Sequence, residues 1–252
     1  MSASFAGRHA VVTGAASGIG RRTAEALAER GATVACLDRD GDRLEEVVAA
    51  LGGAATGHVA DVTSSAQVDA AFDAAAATAS LDLVVNIAGA ALMGAVHELS
   101  DEDWADCLGR NLTGTFYCCR AAVRHLGARG GVIVNMSSSL GRIAAPRFAA
   151  YSAAKAGVRA LTMQMARDYG PAIRVNSVSP AATDTPGVRY AIESAADPAA
   201  VEAEIAGGNH IAGRLATTDE VVAGILFAAS AESSFMFGHD LVLCGGQTTV
   251  AY

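Results

Sequence analysis

Apolar, often β-branched stretches of strand length recur along the chain, each followed by a longer Ala-rich segment with helical spacing. His9–Thr13, Thr33–Asp38, Leu83–Asn86, Val132–Met136, Ile173–Val178 and Asp240–Leu243 show almost no polar alternation. Such continuous apolarity marks strands covered on both faces, the condition of a parallel sheet with helices above and below it. Thr56–Asp61 is a weaker strand. Helices are predicted over Ile19–Arg30, Asp42–Leu51, Ser65–Thr78, Asp101–Leu126, Ser152–Tyr169 and Thr218–Ala229. Two of them open on capping signals, Ser100 with Asp103 and Thr217 with Glu220. Repeated strand–helix units joined by right-handed crossovers give a doubly wound α/β sheet. No linker, low-complexity tract or internal repeat divides the chain, so one domain is expected over residues 1–252. The stretch Pro186–Ile211 breaks the alternation with Pro186, Gly187, Pro198, Gly207 and Gly208, and holds a modest helical pattern over Val188–Ala206. An insertion placed there, at about 186–211, is expected to act as a lid over a substrate.

Composition narrows the function classes. Apolar residues make up 52% of the chain and charged residues 17%, enough apolar material for a core and too little charge for disorder. The net charge of −8 comes without a basic run, which argues against nucleic acid and against an anionic membrane surface as partners. Five cysteines at irregular spacing suggest neither a zinc site nor a disulfide framework, and no metal is expected. The first residues lack a charged start followed by an apolar stretch, and the longest apolar runs stop well short of the ~20 residues that span a bilayer. A cytoplasmic protein in a reducing compartment is the expectation.

The first strand runs straight into Thr13-Gly14-Ala15-Ala16-Ser17-Gly18-Ile19-Gly20, and a helix follows. Glycines there permit a tight turn and close approach of backbone to a diphosphate, while the helix N-terminus offers free N–H groups and the positive end of its dipole. Asp38 ends the second strand, about 20 residues on, where an acid can bind ribose hydroxyls. A carboxylate at that place repels a 2′-phosphate, so NAD is favoured over NADP, with Arg39 as the one neighbouring guanidinium that could pair with such a phosphate.

Tyr151 and Lys155 are four residues apart, on one face of a helix, with Cβ atoms roughly 5–6 Å apart. Bringing a phenol from its usual pKa of about 10 to near 7 takes about 4 kcal/mol of preference for the phenolate. One ammonium in a partly dry site, aided by an oxidised nicotinamide, is a source of the right size and sign. Ser138, thirteen residues before Tyr151, can hold a substrate oxygen while Tyr151 moves its proton, with Ser137 and Ser139 as possible confusions. Asn111, inside a long helix, either carries a water, holds Lys155 or is a core Asn satisfied by backbone.

Thr13–Gly20, Asp61-Val62, Asn86-Ile87-Ala88-Gly89, Asn111, Ser138, Tyr151 with Lys155, and Val175–Pro180 occur in this order along essentially the whole chain. Together they closely resemble the short-chain dehydrogenase/reductase family in its compact form. The resemblance implies a seven-stranded parallel Rossmann-type sheet and a catalytic tetrad of Asn111, Ser138, Tyr151 and Lys155. It implies that Gly14, Ser17, Gly18, Ile19 and Gly20 cradle the cofactor, with Asp38 and Arg39 at its ribose. Asp61 and Val62 would contact adenine, and Asn86, Ala88 and Gly89 would line the cleft. Lys155 and Tyr151 would meet the nicotinamide ribose, and Pro180, Ala181, Thr183 and Thr185 would flank the nicotinamide, Thr185 at its carboxamide. The usual Pro-Gly is Pro180-Ala181 here, and the common Asp-Gly-Gly near the C-terminus is Cys244-Gly245-Gly246.

The implied activity is NAD-dependent interconversion of a secondary alcohol and a ketone, on an apolar, cyclic, steroidal or medium-sized substrate, by hydride transfer with Tyr151 as general acid/base. Ser138, Leu140, Phe148, Tyr151, Ala181 and Tyr190 are the expected substrate contacts, giving a mostly apolar pocket suited to a ring or medium-chain alcohol. His97, His210 and His239 are expected at the surface or in loops, and Arg142 and Arg147 either meet an anionic substrate or lie in solvent. A 3-oxoacyl thioester reductase is the alternative, for which Arg129 is a candidate carrier contact. A dinucleotide-binding sensor without turnover is a second. The family's habit of pairing long helices implies a homotetramer, with a homodimer as the smaller assembly.

Overall fold

A computed structural model describes residues 4–207 and 211–249, and His210 lies outside the described residues. Its strands are β1 (His9–Thr13), β2 (Thr33–Asp38), β3 (Ala55–Val59), β4 (Leu83–Asn86), β5 (Gly131–Met136), β6 (Ile173–Pro180) and β7 (Asp240–Leu243). They form one seven-stranded sheet in the order β3-β2-β1-β4-β5-β6-β7. Every pairing is parallel. Alternate residues of each strand feed two cores, one on each face. In β1, Val12 joins Val34, Val85, Leu27 and Ile225 on one side, while Val11 joins Leu37, Phe72, Ile133 and Val175 on the other. This two-sided burial is the reason the strand sequences lack polar alternation. The exceptions are the two edge strands, β3, whose residues are all half-buried or exposed, and β7, which is half-buried after Asp240. Strand β3 ends at Val59, two residues before the expected limit, and Asp61 stands in a turn closed by Thr63.

The helices are α1 (Gly18–Ala28), α2 (Gly41–Leu51), α3 (Ser65–Thr78), α4 (Asp101–Leu108), α5 (Gly114–Leu126), α6 (Ala149–Tyr169), α7 (Pro186–Glu193), α8 (Pro198–Gly207) and α9 (Thr218–Ala229). Both expected capping boxes form, Ser100 with Asp103 and Thr217 with Glu220. The expected continuous helix over Asp101–Leu126 is interrupted by a wide π turn at Gly109–Thr113. Such a turn leaves the regular ladder locally and is a frequent device at functional sites. The pattern over Val188–Ala206 forms two helices, not one. Thr185 caps α7 with Pro186 at its first turn, and Arg189 of α7 reaches both Asp184 and Glu202 of α8. Among the described residues no helix is long and apolar enough to cross a membrane.

Strand order reverses between β1 and β4, whose last residues, Thr13 and Asn86, are direct partners. In doubly wound sheets the crevice at the C-terminal strand ends beside this reversal is where ligands bind. Ser100 begins the helical run that leads to Asn111 in the π turn. Replacing Ser100 with Ala should destabilise the protein by about 1 kcal/mol. A shift of the urea midpoint without a change in slope would register it; an unchanged midpoint would mean the cap contributes nothing.

Candidate active site

The Gly-rich turn leaves β1 with Gly14 and Gly20 in contact. A Cβ on Gly20 would stand 1.9 Å from the Gly14 carbonyl oxygen, so no larger residue fits there without moving backbone. Ser17 caps α1 in extended conformation, but its exposed hydroxyl makes no cap bond, and the first turn holds no acid. The N-terminus of α1 thus presents donors and a positive dipole end with no acid in its own first turn. Thr13, which sequence reasoning did not place in the site, accepts from the N–H groups of Ile87 at 3.0 Å and Ala88 at 3.1 Å, tying this turn to Asn86–Gly89. Its position directly before Gly14 was the available signal.

Asp38 accepts from the Ala16 N–H of that turn at 3.0 Å and from the Asp40 N–H at 3.1 Å. Its carboxylate is therefore held at the end of β2, half-buried, facing the turn. Arg39 is exposed. The Asp61 carboxyl lies below the usual carboxylate range, chiefly through the Thr63 N–H, with the charges of Arg39 and Arg110 adding to the effect. Val62 is half-buried and packs on Gly114 at the start of α5. Gly18 lies against Thr185, so the start of α7 meets the Gly-rich turn. Pro180 ends β6, the Ala181 N–H donates to Leu243, and Thr183 is buried on the Ala181 carbonyl. Asn86 is buried and donates to Asn135 and Cys119, so its side chain serves the sheet interior and not the cleft.

Helix α6 begins three residues earlier than expected, which places Tyr151 in its first turn and Lys155 one turn on. Lys155 is 2% exposed and donates to the Met136 carbonyl at 2.9 Å, its ammonium 5.6 Å from the centre of the Tyr151 ring. The Ser138 hydroxyl faces the phenol and favours its ionised form. Ser137 and Ser139 separate cleanly from it. Ser137 donates to the Lys155 carbonyl at 2.9 Å, and Ser139 donates to Gln247 at 2.7 Å. Asn111 is fully buried in the π turn, donating to the Ala90 and Cys107 carbonyls at 2.8 and 3.0 Å. Its Oδ1 has no partner among the described residues. A Cβ at Gly89 would stand 2.5 Å from that oxygen and 3.6 Å from Lys155 Nζ, so the orphaned acceptor and the ammonium flank the same glycine. Asn111 does not bond Lys155 directly, and its backbone bonds satisfy only its amide donor.

In the ligand-free protein burial dominates the proton affinities of this pair. Burial pushes the Tyr151 phenol up to about 12, against the pull of Ser138, and pushes Lys155 down to about 8. The charged form of each is disfavoured because each is taken out of water. On raising the pH, the ammonium loses its proton before the phenol does, so Lys155 alone does not bring Tyr151 near neutrality. Cys107, whose thiol lies 3.7 Å from Asn111 Nδ2, is a neighbour that sequence reasoning missed. Of the expected substrate contacts, Phe148 sets its ring 6.2 Å from that of Tyr151, Leu140 and Ala181 are half-buried, and Tyr190 is 73% exposed on α7. Arg142 and Arg147 are committed to Asp240 and Glu98, and Arg129 donates to Ser80 before β5, at the opposite edge of the sheet.

Without ligand, the Tyr151 phenolate should form only near pH 12. The near-ultraviolet titration of the wild type minus that of Tyr151→Phe reads it, and a phenolate at neutral pH would refute the burial argument.

Residues 8–195 match the short chain dehydrogenase family model. The cis-4-hydroxycyclohexanecarboxylate dehydrogenase of Sinomonas cyclohexanicum is 45% identical over 259 aligned residues, covering 99% of this chain and 100% of that one. The D-threitol dehydrogenase of Mycolicibacterium smegmatis is 39% identical over 96% of this chain and 93% of its own length. Ligand-free aldohexose dehydrogenase from Thermoplasma acidophilum superposes with a TM-score of 0.88 at 33% identity, over 98% of this chain and 96% of that one. The chain belongs to the short-chain dehydrogenase family and is an alcohol dehydrogenase that depends on a nicotinamide dinucleotide.

Proposed function

We propose that the protein oxidises a secondary alcohol with NAD⁺, and that Asn111, Ser138, Tyr151 and Lys155 do the proton chemistry. The observation that carries this reading is the convergence of Ser138 and Lys155 on Tyr151, with the orphaned Asn111 oxygen flanking the same glycine as the Lys155 ammonium. The Gly-rich turn, the acid-free start of α1 and the fixed Asp38 carboxylate fit a dinucleotide. Gly14, Ser17, Gly18, Ile19 and Gly20 would hold its diphosphate and Asp38 its ribose hydroxyls. Asp61 and Val62 would take the adenine, Ala88 and Gly89 the cleft floor, and Pro180, Ala181, Thr183 and Thr185 the nicotinamide side. When bound, the oxidised nicotinamide supplies the acceptor for the alcohol's hydride and a positive charge beside the phenol.

Tyr151 then acts as general base on the alcohol hydroxyl, Ser138 holds the same oxygen, and Lys155 passes the proton onward past the Asn111 oxygen. The added positive charge is needed because burial holds the ligand-free phenol far above neutrality. Oxidation should therefore rise with pH. The kcat profile, which reports the bound state, should have its acid limb well below about 12. Asp38 supports NAD over NADP because a 2′-phosphate would meet its carboxylate.

The Phe148 ring beside that of Tyr151 supports an apolar or cyclic alcohol. Relatives are named for a hydroxylated cyclohexane acid, a four-carbon polyol and a 3β-hydroxysteroid, two of the three cyclic. Trp104, Phe116, Met163 and Tyr169 are exposed along α4, α5 and α6, which supports a homotetramer built on these helices.

Cofactor reduction followed with NAD⁺ and NADP⁺ against cyclic alcohols, hydroxysteroids and polyols tests the reading. NAD⁺ should be preferred, and Tyr151→Phe should lose at least about a hundredfold in turnover while still binding NAD⁺. Asp38→Ala should move the preference toward NADP⁺. An active Tyr151→Phe enzyme, or a wild type that prefers NADP⁺, would sink the corresponding half of the proposal. Light scattering giving a monomeric mass would exclude the tetramer.

A further inference from the structure

We infer that Asp240 is a positioning residue for Ser138, an inference that rests on the role proposed for that serine. Asp240 opens β7, is 8% exposed, and lies outside the residues that match the family. Its Oδ1 accepts from the hydroxyls of Ser177 and Ser179 of β6, each at 2.7 Å. Its Oδ2 accepts from Arg142 Nε at 2.7 Å and lies 3.1 Å from Arg159 Nε of α6. One buried carboxylate therefore joins the strand that leads to Pro180, the helix that carries Tyr151 and Lys155, and the loop that follows Ser138.

The loop has little slack. Ser138 accepts from the Leu140 N–H at 3.2 Å, opening the short turn Ser139–Gly141. Gly141 sits on the backbone of Lys155, where a Cβ would come within 2.9 Å of its carbonyl carbon, and its own carbonyl accepts from Arg159. Arg142 is the next residue, so the bond to Asp240 pins the far end of this turn while β5 holds the near end. Removing that counter-charge leaves two guanidiniums against a largely buried pocket, which pushes the loop outward. Among the described residues Asp240 touches neither the phenol nor the glycine-rich turn; its bond to Arg142 acts on the loop of Ser138, and its contact with Arg159 of α6 is the second route that the double substitution separates from it.

Asp240→Asn keeps the side chain's shape and removes its charge. With NAD⁺ and cyclohexanol or 4-hydroxycyclohexanecarboxylate, kcat should fall about a hundredfold, the loss expected from a displacement of about 1 Å at a reacting group. The dissociation constant for NAD⁺ should stay the same. In a Ser138→Ala background the same substitution should cost no more than about threefold, because the two changes then act on one interaction. Amide hydrogen exchange, which needs no substrate, should quicken across residues 138–142 and stay unchanged in β1 and β2. A full hundredfold loss in the Ser138→Ala background, or faster exchange throughout the sheet, would make Asp240 a general support of the fold and overturn the proposal. Full activity of Asp240→Asn beside a crippled Ser138→Ala would overturn it alone. Full activity of Ser138→Ala would overturn the role given to Ser138 and this inference with it. Should Asp240→Asn fail to fold, Arg142→Gln cuts the loop's bond while leaving Asp240 with Ser177, Ser179 and Arg159, and the same outcomes apply.

Discussion

The bond from the Lys155 ammonium to the Met136 carbonyl is the constraint on which the rest of the site depends. It carries a charge into a place that is nearly dry, 2% exposed, and joins the end of β5 to the second turn of α6. A buried cation is tolerated only where donors and acceptors are closely matched, and burial accordingly depresses its affinity for the proton. Three neighbouring residues are keyed to Lys155. Ser137 bonds its carbonyl, Gly141 packs on its backbone, and its side chain lies under the face of the Tyr151 ring.

That anchor works because the sheet delivers its partners to a single edge. Thr13, Asn86 and Asn135 are neighbours in register across β1, β4 and β5, and the chain leaves each strand toward the same crevice. The interior of the sheet below them is polar in one patch, where Asn86, Cys119, Asn135 and Thr162 bond one another. A polar network in a low-dielectric core holds a specific geometry, since each broken bond would leave a buried group unsatisfied. It fixes the relation of β4, β5, α5 and α6, the elements that lead to Gly89, Ser138, Asn111 and Tyr151.

The Tyr151–Lys155 pair illustrates how burial and charge oppose each other in such a site. The enclosure that excludes water also raises the phenol and lowers the ammonium, so in the ligand-free protein the phenol keeps its proton firmly while the ammonium holds its own less tightly than usual. The orphaned Asn111 oxygen adds an acceptor whose bond is unmade until a donor enters. A cation bound beside the phenol would lower its proton affinity, at the expense of the neighbouring ammonium, and a bound water or hydroxyl could satisfy the Asn111 oxygen.

The sequence by itself determined the parallel sheet, through largely apolar strands each followed by a helical segment, and the Gly-rich turn, through a local backbone geometry that only small residues permit. The spacing of Tyr151 and Lys155 likewise needed nothing beyond the pitch of a helix. Capping at Ser100 and Thr217 was legible for the same reason, since each interaction spans three residues. What only the tertiary structure decided are the relations between distant segments. It sorted Ser138 from Ser137 and Ser139 by giving the latter two partners on α6 and at Gln247. It interrupted the helix at Gly109–Thr113 to bury Asn111 against Ala90, and committed Arg142 to Asp240, ninety-eight positions away. Local patterns record propensity and period, but a proton affinity or an ion pair depends on which groups share a dry volume, and that is settled only when the chain has packed.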